Sequence, residues 1–413
     1  MFPSHIKRYE IPVHTEDWFK FRSIGLQGVY EGGIGASEAG IVMGLQKKYH
    51  PSKPELFHHK VGTRPVQRID NEYMFHGRER EDDIARYWQC WSNTDNLYYE
   101  RYGEYKKAYQ EAFDKSIEKD GNYHNALAAA KKEGLNYISR EMIEIPGYLV
   151  NEKYPWLFVS LDRAMAPGSA NIITGEEITK PSPLEIKTIK SVMSNQWESG
   201  IPPKYLAQVH QQMIVTETDY SEIAMLEDGN RLVVIPVEYN EKFGKQLIEQ
   251  TEEFWYNVQQ ARSLVHEFYE HKGKNNVRAE QILSEIDSME PEVDGSENTE
   301  QFIKDSYKQQ FDEGPAPEGY YKYLFGYHLA GGLIDKMEEY RQKCKNKLLH
   351  HMKKSSIGKM DFGPVGCVTL KNNSSGSLVF RAKTNPKYRP SNDRINQEIK
   401  KIDVSIIGKK GKK

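Results

Sequence analysis

Residues 183–187 read Pro183-Leu184-Glu185-Ile186-Lys187, and a short way upstream residues 156–162 read Trp156-Leu157-Phe158-Val159-Ser160-Leu161-Asp162. Side chains alternate between the faces of a β-strand, so Glu185 and Lys187 point to one side while Leu184 and Ile186 point to the other. A carboxylate and an ammonium then share a cleft. If the preceding strand brings Asp162 beside them, two carboxylates and the Ile186 carbonyl can hold a hard divalent cation, which prefers oxygen ligands. Lys187 then lies beside the metal-bound water, an arrangement suited to metal-assisted hydrolysis of a phosphodiester. Taken alone, the same residues also describe an ordinary exposed strand with an i,i+2 ion pair, and the choice rests on the rest of the chain.

The chain has 413 residues, long enough for two or more domains with a sizeable core. Apolar content of 38% and charged content of 28% are those of a soluble globular protein. A net charge of -2, the difference between 57 basic and 59 acidic residues, nominates no partner and leaves room for a locally basic groove. No apolar run approaches the roughly 20 residues of a membrane helix. The stretch Met1-Phe2-Pro3-Ser4-His5 lacks the apolar core of a signal peptide, so the expected location is the cytoplasm, without membrane contact. Cys90, Cys344 and Cys367 are far apart, which argues against a disulfide framework or a zinc ribbon.

In chain order, Thr15-Glu16-Asp17-Trp18-Phe19-Lys20-Phe21-Arg22 predicts a short helix with a capping residue, an acidic first turn and a cationic end. Gly33-Ile34-Gly35-Ala36-Ser37-Glu38 leads into a second helix carrying Ile41 and Val42, with Ser37 as its cap; it is either a capped helix only or an anion site. From Phe75 to Trp88 the pattern predicts one helix with Ile84, Trp88 and Trp91 toward the core. Glu81 lies at the edge of that stripe, inward and in need of a cation, whereas Glu79, Asp82 and Asp83 read as solvated. Residues 96–137 read as an inserted helical hairpin whose aromatic stripe belongs to packing rather than base stacking.

Two strands, 142–150 and 156–165, form the hairpin that delivers Asp162. Residues 203–214 predict a helix with Leu206, Val209 and Met213 on its apolar side and Tyr205, Gln208 and Gln212 on a polar one. His210 lacks a second ligand at metal spacing. Strands at 221–226 and 232–239 flank an Asp228-Gly229 turn, and a long amphipathic helix spans 241–271. Residues 289–300 and 312–319 read as linkers or exposed loops. A helix then runs to Lys354 with Leu333, Met337, Tyr340, Cys344, Leu348 and Met352 on one stripe, which predicts a packed Cys344 thiol. Strands 365–371 and 377–383 form a hairpin, and the Lys-rich end 408–413 reads as a disordered end, either a solvated tail or a weak phosphate contact.

Together these residues resemble the YqaJ-type viral recombinase family, which groups with lambda-type exonucleases in the PD-(D/E)xK nuclease superfamily. The matching residues are Trp18 with Arg22, Gly35-Ala36-Ser37-Glu38, Gly77 with Glu81, Asp162, Glu185-Ile186-Lys187, and Tyr205 with Ala207-Gln208-Val209 and Met213, in the family's order. The resemblance implies an α/β fold: a restriction-endonuclease-like core, with a central mixed sheet flanked by helices, over residues 1–272. The helical insertion falls within it, and residues 273–413 form a C-terminal α+β extension. It implies that Asp162, Glu185 and the Ile186 carbonyl bind Mg²⁺ or Mn²⁺, that Glu81 serves a second ion, that Lys187 orients or helps deprotonate water, and that Gln208 positions the lysine or the water. Arg22, Ser37 and Tyr205 would contact DNA, the first two at a terminal 5′-phosphate. The implied activity is a metal-dependent 5′-to-3′ exonuclease acting on linear double-stranded DNA ends in phage-type recombination. A single-strand annealing protein and further copies of the chain would be partners, in the cytoplasm of a bacterial host. The alternatives are an endonuclease on the same fold and a catalytically silent DNA-binding protein.

Overall fold

The computed structural model describes residues 2–12, 15–46, 51–64, 72–94, 97–190, 197, 200–293, 295–306, 319–372 and 378–384. The chain divides into two compact units, Met1–Lys308 and Gln309–Lys413. The first begins with β1 (Ile6–Tyr9), α1 (Glu16–Ser23), β2 (Ile34–Gly35), α2 (Ala36–Val42), α3 (Lys53–Val61), α4 (Glu72–Glu79) and α5 (Glu81–Cys90). It continues through α6 (Tyr98–Asp120), α7 (Tyr123–Gly134), β3 (Met142–Ile143), β4 (Tyr148–Asn151), β5 (Leu157–Val159), β6 (Arg163–Met165) and β7 (Ser182–Ile189). It closes with α8 (Pro203–Thr216), β8 (Tyr220–Glu227), β9 (Arg231–Glu238), α9 (Glu241–His271), α10 (Asn276–Ser288) and α11 (Glu297–Ser306). The second unit holds α12 (Tyr321–Lys354) and the antiparallel strands β10 (Lys359–Asp361), β11 (Gly366–Asn372) and β12 (Leu378–Thr384). The fold is mixed α/β.

Two sheets organise the first unit. One is four-stranded, in the order β1-β4-β5-β2; the other is five-stranded, in the order β3-β6-β7-β8-β9. In the larger sheet β7 runs antiparallel to β6 and parallel to β8, which in turn is antiparallel to β9. The β8–β9 connection is a three-residue loop, 228–230, between the paired Glu227 and Arg231; the Asn230 N–H closes it on the Glu227 carbonyl at 3.1 Å, with Asp228 at φ 50° and Gly229 at φ 76°. Alternation along β7 sends Leu184 and Ile186 into a core with Ile84, Trp88 and Ala224, so α5 covers that face. The opposite face, with Glu185, meets α8, whose Gln208 and Gln212 side chains reach it. Helix α8 also ties the two sheets together: the Gln211 amide, fully buried, donates to the carbonyls of Ile34 (2.7 Å) and Phe158 (3.0 Å) at β2 and β5.

Several expectations are corrected. The stretch 142–150 is two strands in different sheets, broken at Pro146-Gly147; Gly147 has φ 90°, and a Cβ there would lie 2.1 Å from the Tyr9 carbonyl oxygen. Likewise 156–165 splits into β5 and β6 on either side of Ser160-Leu161-Asp162. The helix expected from Phe75 is two helices, interrupted at Arg80. Residues 297–306 are helical, and Phe302 stacks against His58 of α3, while Ile282 and Ile286 of α10 join the main core. The packing boundary therefore lies at 308 rather than 272. In α12 only Met352 is buried among the described residues; Met337 and Tyr340 are about two-thirds exposed and Cys344 is exposed, so that thiol is not packed. The helices α6 and α7 form the hairpin expected for 96–137. Residues 312–318 and 408–413 lie outside the described residues.

Candidate active site

Aromatic packing sets the first wall. Phe21 of α1 stacks on Tyr148 of β4 with centroids 4.4 Å apart, and the Tyr148 hydroxyl donates to the Trp18 carbonyl at 3.1 Å. This seats α1 on the smaller sheet and aims Arg22, in its last turn, along the sheet edge. The Arg22 guanidinium lies 4.8 Å from the Trp18 ring centre and donates to the Ser37 hydroxyl at 3.1 Å. Contrary to the expectation from sequence, Ser37 does not cap α2. Gly35 occupies the cap, and its N–H donates to the Glu38 carboxylate at 2.7 Å, which places Ser37 in the first turn with its hydroxyl toward Arg22.

The second wall comes from the break between β5 and β6. There the Asp162 carboxylate accepts the Ile186 N–H at 2.8 Å, a side chain taking the place of the strand carbonyl that would otherwise continue the ladder from Arg163–Leu184. That substitution is why the strand ends where it does, and it holds a carboxylate one position from Glu185. Glu185 is 1% exposed; its Oε1 accepts the Lys187 ammonium and the Gln208 amide (2.6 Å), and its Oε2 accepts the Gln212 amide (2.6 Å). Burial, reinforced by the Glu185 charge, pushes the Asp162 carboxyl up to about 8. Burial alone would lower Lys187, but the Glu185 and Asp162 carboxylates outweigh it and hold the ammonium above its ordinary range. Glu81, at the start of α5, is half-buried; burial raises its carboxyl, with the Lys187 charge opposing, so it faces the same cluster.

These walls enclose one cleft of about 560 Å³, lined by Arg22, Ser37, Glu81, Asp162, Glu185, Lys187 and Gln208 together with Arg78, Asp82, Ser160 and Arg163. Seven of the residues expected from sequence thus meet in one place. Tyr205 stands at the start of α8, stacked on Trp197 at 5.3 Å, with the Lys187 ammonium 5.6 Å and the Lys204 ammonium 4.6 Å from its ring centre. A larger hollow of about 670 Å³ lies elsewhere, around Lys153, Lys180 and Glu217, and contains none of these groups.

Among the described residues no three His, Cys, Asp or Glu side chains converge at metal-ligand spacing. The cleft offers the buried carboxylate of Glu185 and the half-buried one of Asp162, with Glu81 near them. Their fit to a divalent cation lies in donor chemistry and charge: hard oxygen atoms, with the Asp162 carboxyl raised first by burial and then by the Glu185 charge, and a cation would offset both.

Sequence reasoning took Gln212 only as part of a polar stripe and missed its hold on Glu185, although its position four residues after Gln208 puts both amides on one helix face. Asp82 is exposed, as expected, and also pairs with Arg163 at the cleft, a contact the sequence did not signal. Lys60 carried no sequence signal at all: a lone lysine in an amphipathic helix reads as surface, yet it is 1% exposed beneath Arg22.

Among protein families, the YqaJ-like viral recombinase domain matches residues 17–219. Among solved structures, the chain is similar to an alkaline exonuclease, LHK-Exo, from Laribacter hongkongensis at 15% identity, over 61% of this chain and 97% of that one, with a TM-score of 0.35. The structure of LHK-Exo in complex with dAMP gives 15% identity, 61% and 96% coverage, and a TM-score of 0.33. No curated protein matches the chain.

Proposed function

With residues 17–219 belonging to the YqaJ-like viral recombinase domain family, we propose that the chain is a metal-dependent deoxyribonuclease that degrades linear double-stranded DNA from its 5′ ends. The observation that carries this reading is the single cleft in which Arg22, Ser37, Glu81, Asp162, Glu185, Lys187 and Gln208 meet from six separate places in the sequence. In this reading the five-stranded mixed sheet with α5 and α8 on its two faces is the restriction-endonuclease-like core.

Asp162, Glu185 and the Ile186 carbonyl would hold one Mg²⁺ or Mn²⁺, and Glu81 a second. Bound there, the ions supply Lewis acidity toward the phosphate and a water of lowered pKa. The chain's own residues do the rest. Lys187, held charged by two carboxylates in the cation-free chain, would donate hydrogen bonds to an oxygen in the cleft and so orient the attacking water or help deprotonate it. Gln208 and Gln212 keep Glu185 in one orientation through opposite oxygen atoms. Arg22 and Ser37 present one guanidinium and one hydroxyl, a fitting pair for a terminal phosphate. Tyr205, with two ammonium groups over its ring, is positioned for the DNA strand. The wider role would be end resection in phage-type recombination in a bacterial cytoplasm, feeding a single-strand annealing protein.

The test is digestion of three duplexes in Mg²⁺: linear with 5′-phosphate, linear with 5′-hydroxyl, and covalently closed. The expected order is phosphorylated ends first, hydroxyl ends slower by roughly 10- to 150-fold for a lost charge-assisted contact, and closed circles intact, with EDTA stopping all. Closed circles cut as fast as linear ends would replace the exonuclease by an endonuclease on the same cleft.

A further inference from the structure

Arg22 and Ser37 belong to different helices separated by a loop, and a two-group phosphate pocket works only if the two are held at a fixed spacing. The groups that hold them lie underneath. Lys60 reaches from α3 into the interior, 1% exposed, and its ammonium lies 2.7 Å from Glu38 Oε2 while also donating to the backbone carbonyl of Arg22 itself. Glu38 in turn accepts the Gly35 N–H at 2.7 Å at the start of the helix bearing Ser37. One buried ammonium therefore joins the backbone of the Arg22 helix to the first turn of the Ser37 helix. From the other side Arg262 of α9 donates to the Lys60 carbonyl at 2.8 Å and the Glu31 carbonyl at 2.7 Å, fixing the loop between the two helices. Glu38 neutralises Lys60, so the lysine adds little attraction for an anion in the cleft and touches no substrate.

Resting on the 5′-phosphate reading of Arg22 and Ser37, we propose that Lys60 is a positioning residue for end recognition: it sets the spacing of those two groups and thereby the enzyme's preference for 5′-phosphorylated ends. A displacement of about 1 Å in a binding group can cost on the order of 10²-fold, so losing this link should reach the phosphate selectively.

The experiment measures the ratio of kcat/KM for 5′-phosphorylated over 5′-hydroxyl linear duplex in wild type, Lys60→Met, and the double variant Lys60→Met/Glu38→Gln. The double variant removes both buried charges while the side-chain amide introduced in place of Glu38 still offers an oxygen to the Gly35 N–H. It therefore guards against a fold lost to an unpaired Glu38; circular dichroism and melting curves identify the folded variants. The expected result is a ratio lowered about tenfold or more in both variants. A wild-type ratio in any folded variant overturns the role of Lys60, whatever happens to absolute rates. A wild type that shows no preference overturns the pocket reading itself, a failure recognisable without any variant.

Discussion

Replacing Gln212 by methionine separates the fold from the chemistry. Gln212 is 1% exposed; its amide donates to Glu185 Oε2 at 2.6 Å, and its Oε1, also buried, finds no partner among the described residues. Methionine has nearly the same length and an unbranched, adaptable chain, so the site is refilled without a large cavity. Losing a hydrogen bond to a buried charged group costs about 1.5–3 kcal/mol, while removing an unpaired buried acceptor returns about 1–3 kcal/mol. The two nearly cancel, and unfolding free energy should change by no more than about 1.5 kcal/mol. Glu185, however, loses the one donor on its second oxygen and keeps only Lys187 and Gln208 on the first, free to turn about its last torsion. If the lost bond acts fully in the transition state, kcat falls roughly 10- to 150-fold. Denaturant unfolding and single-turnover digestion of labelled linear duplex in Mg²⁺ measure the two quantities. A variant destabilised by more than about 3 kcal/mol yet unchanged in rate per folded molecule would refute the reasoning and make Gln212 a packing residue only.

In cation-free protein, Asp162 has a folded pKa of about 8, above the ordinary carboxylate range, so the folded state holds a proton that the unfolded state releases and stability falls as pH rises toward 8; Asp162→Asn should flatten that slope while abolishing hydrolysis, and an unchanged slope in chelator would contradict the buried-carboxyl argument. Hydrogen bonds from Lys153 first, then His5 and Asn151, hold Glu217 down at about 2, so its contribution is present above the ordinary carboxylate range and lost as pH falls toward 2. Glu217→Gln should flatten the acid limb of the stability profile there, and thermal melts from about pH 5 to pH 2 that superimpose on wild type would remove the claim. Truncation after Lys308 should leave a folded, active first unit, whereas truncation after Lys274 also removes Ile282 and Ile286, at 0% and 2% exposure, from the main core. At about 1.5–3 kcal/mol for each buried isoleucine, the shorter form should be less stable by about 3–6 kcal/mol, and equal denaturation midpoints would show that α10 contributes nothing.

Much of the cleft was legible because it rests on short-range periodicity. Alternation in 182–189 separated Glu185 from Leu184 and Ile186, and the four-residue spacing on α8 put Gln208 on its polar side. The helix 241–271 and the Asp228-Gly229 turn were readable for the same reason. What escaped was set by partners distant in sequence. The strand break at Asp162 depends on the Ile186 N–H 24 residues away, and no local pattern signals that a side chain will take a ladder position. The helix break at Arg80 and the displacement of Ser37 from the cap to the first turn, with Glu38 bonding back to Gly35, are one- and two-residue shifts that propensity leaves open. Lys60 could not be found from composition, because burial of a lysine is decided by Glu38 and the Arg22 carbonyl meeting it. The exposed stripe of α12 shows the limit in reverse: apolar spacing predicted packing, and the described residues provide it only at Met352.

The central claim is that Asp162, Glu185 and Lys187 form one hydrolytic centre that works with a divalent cation. The most direct measurement is single-turnover release of nucleotide from 5′-phosphorylated linear duplex, with Mg²⁺ or with EDTA, by wild type, Glu185→Gln and Lys187→Met at matched folded concentration. The account predicts hydrolysis by wild type in Mg²⁺ alone, and a loss of at least about 10³-fold in either variant, each of which disrupts the contact between the two residues at Glu185 Oε1. Hydrolysis that persists in EDTA, or that survives in either folded variant near the wild-type rate, would contradict it.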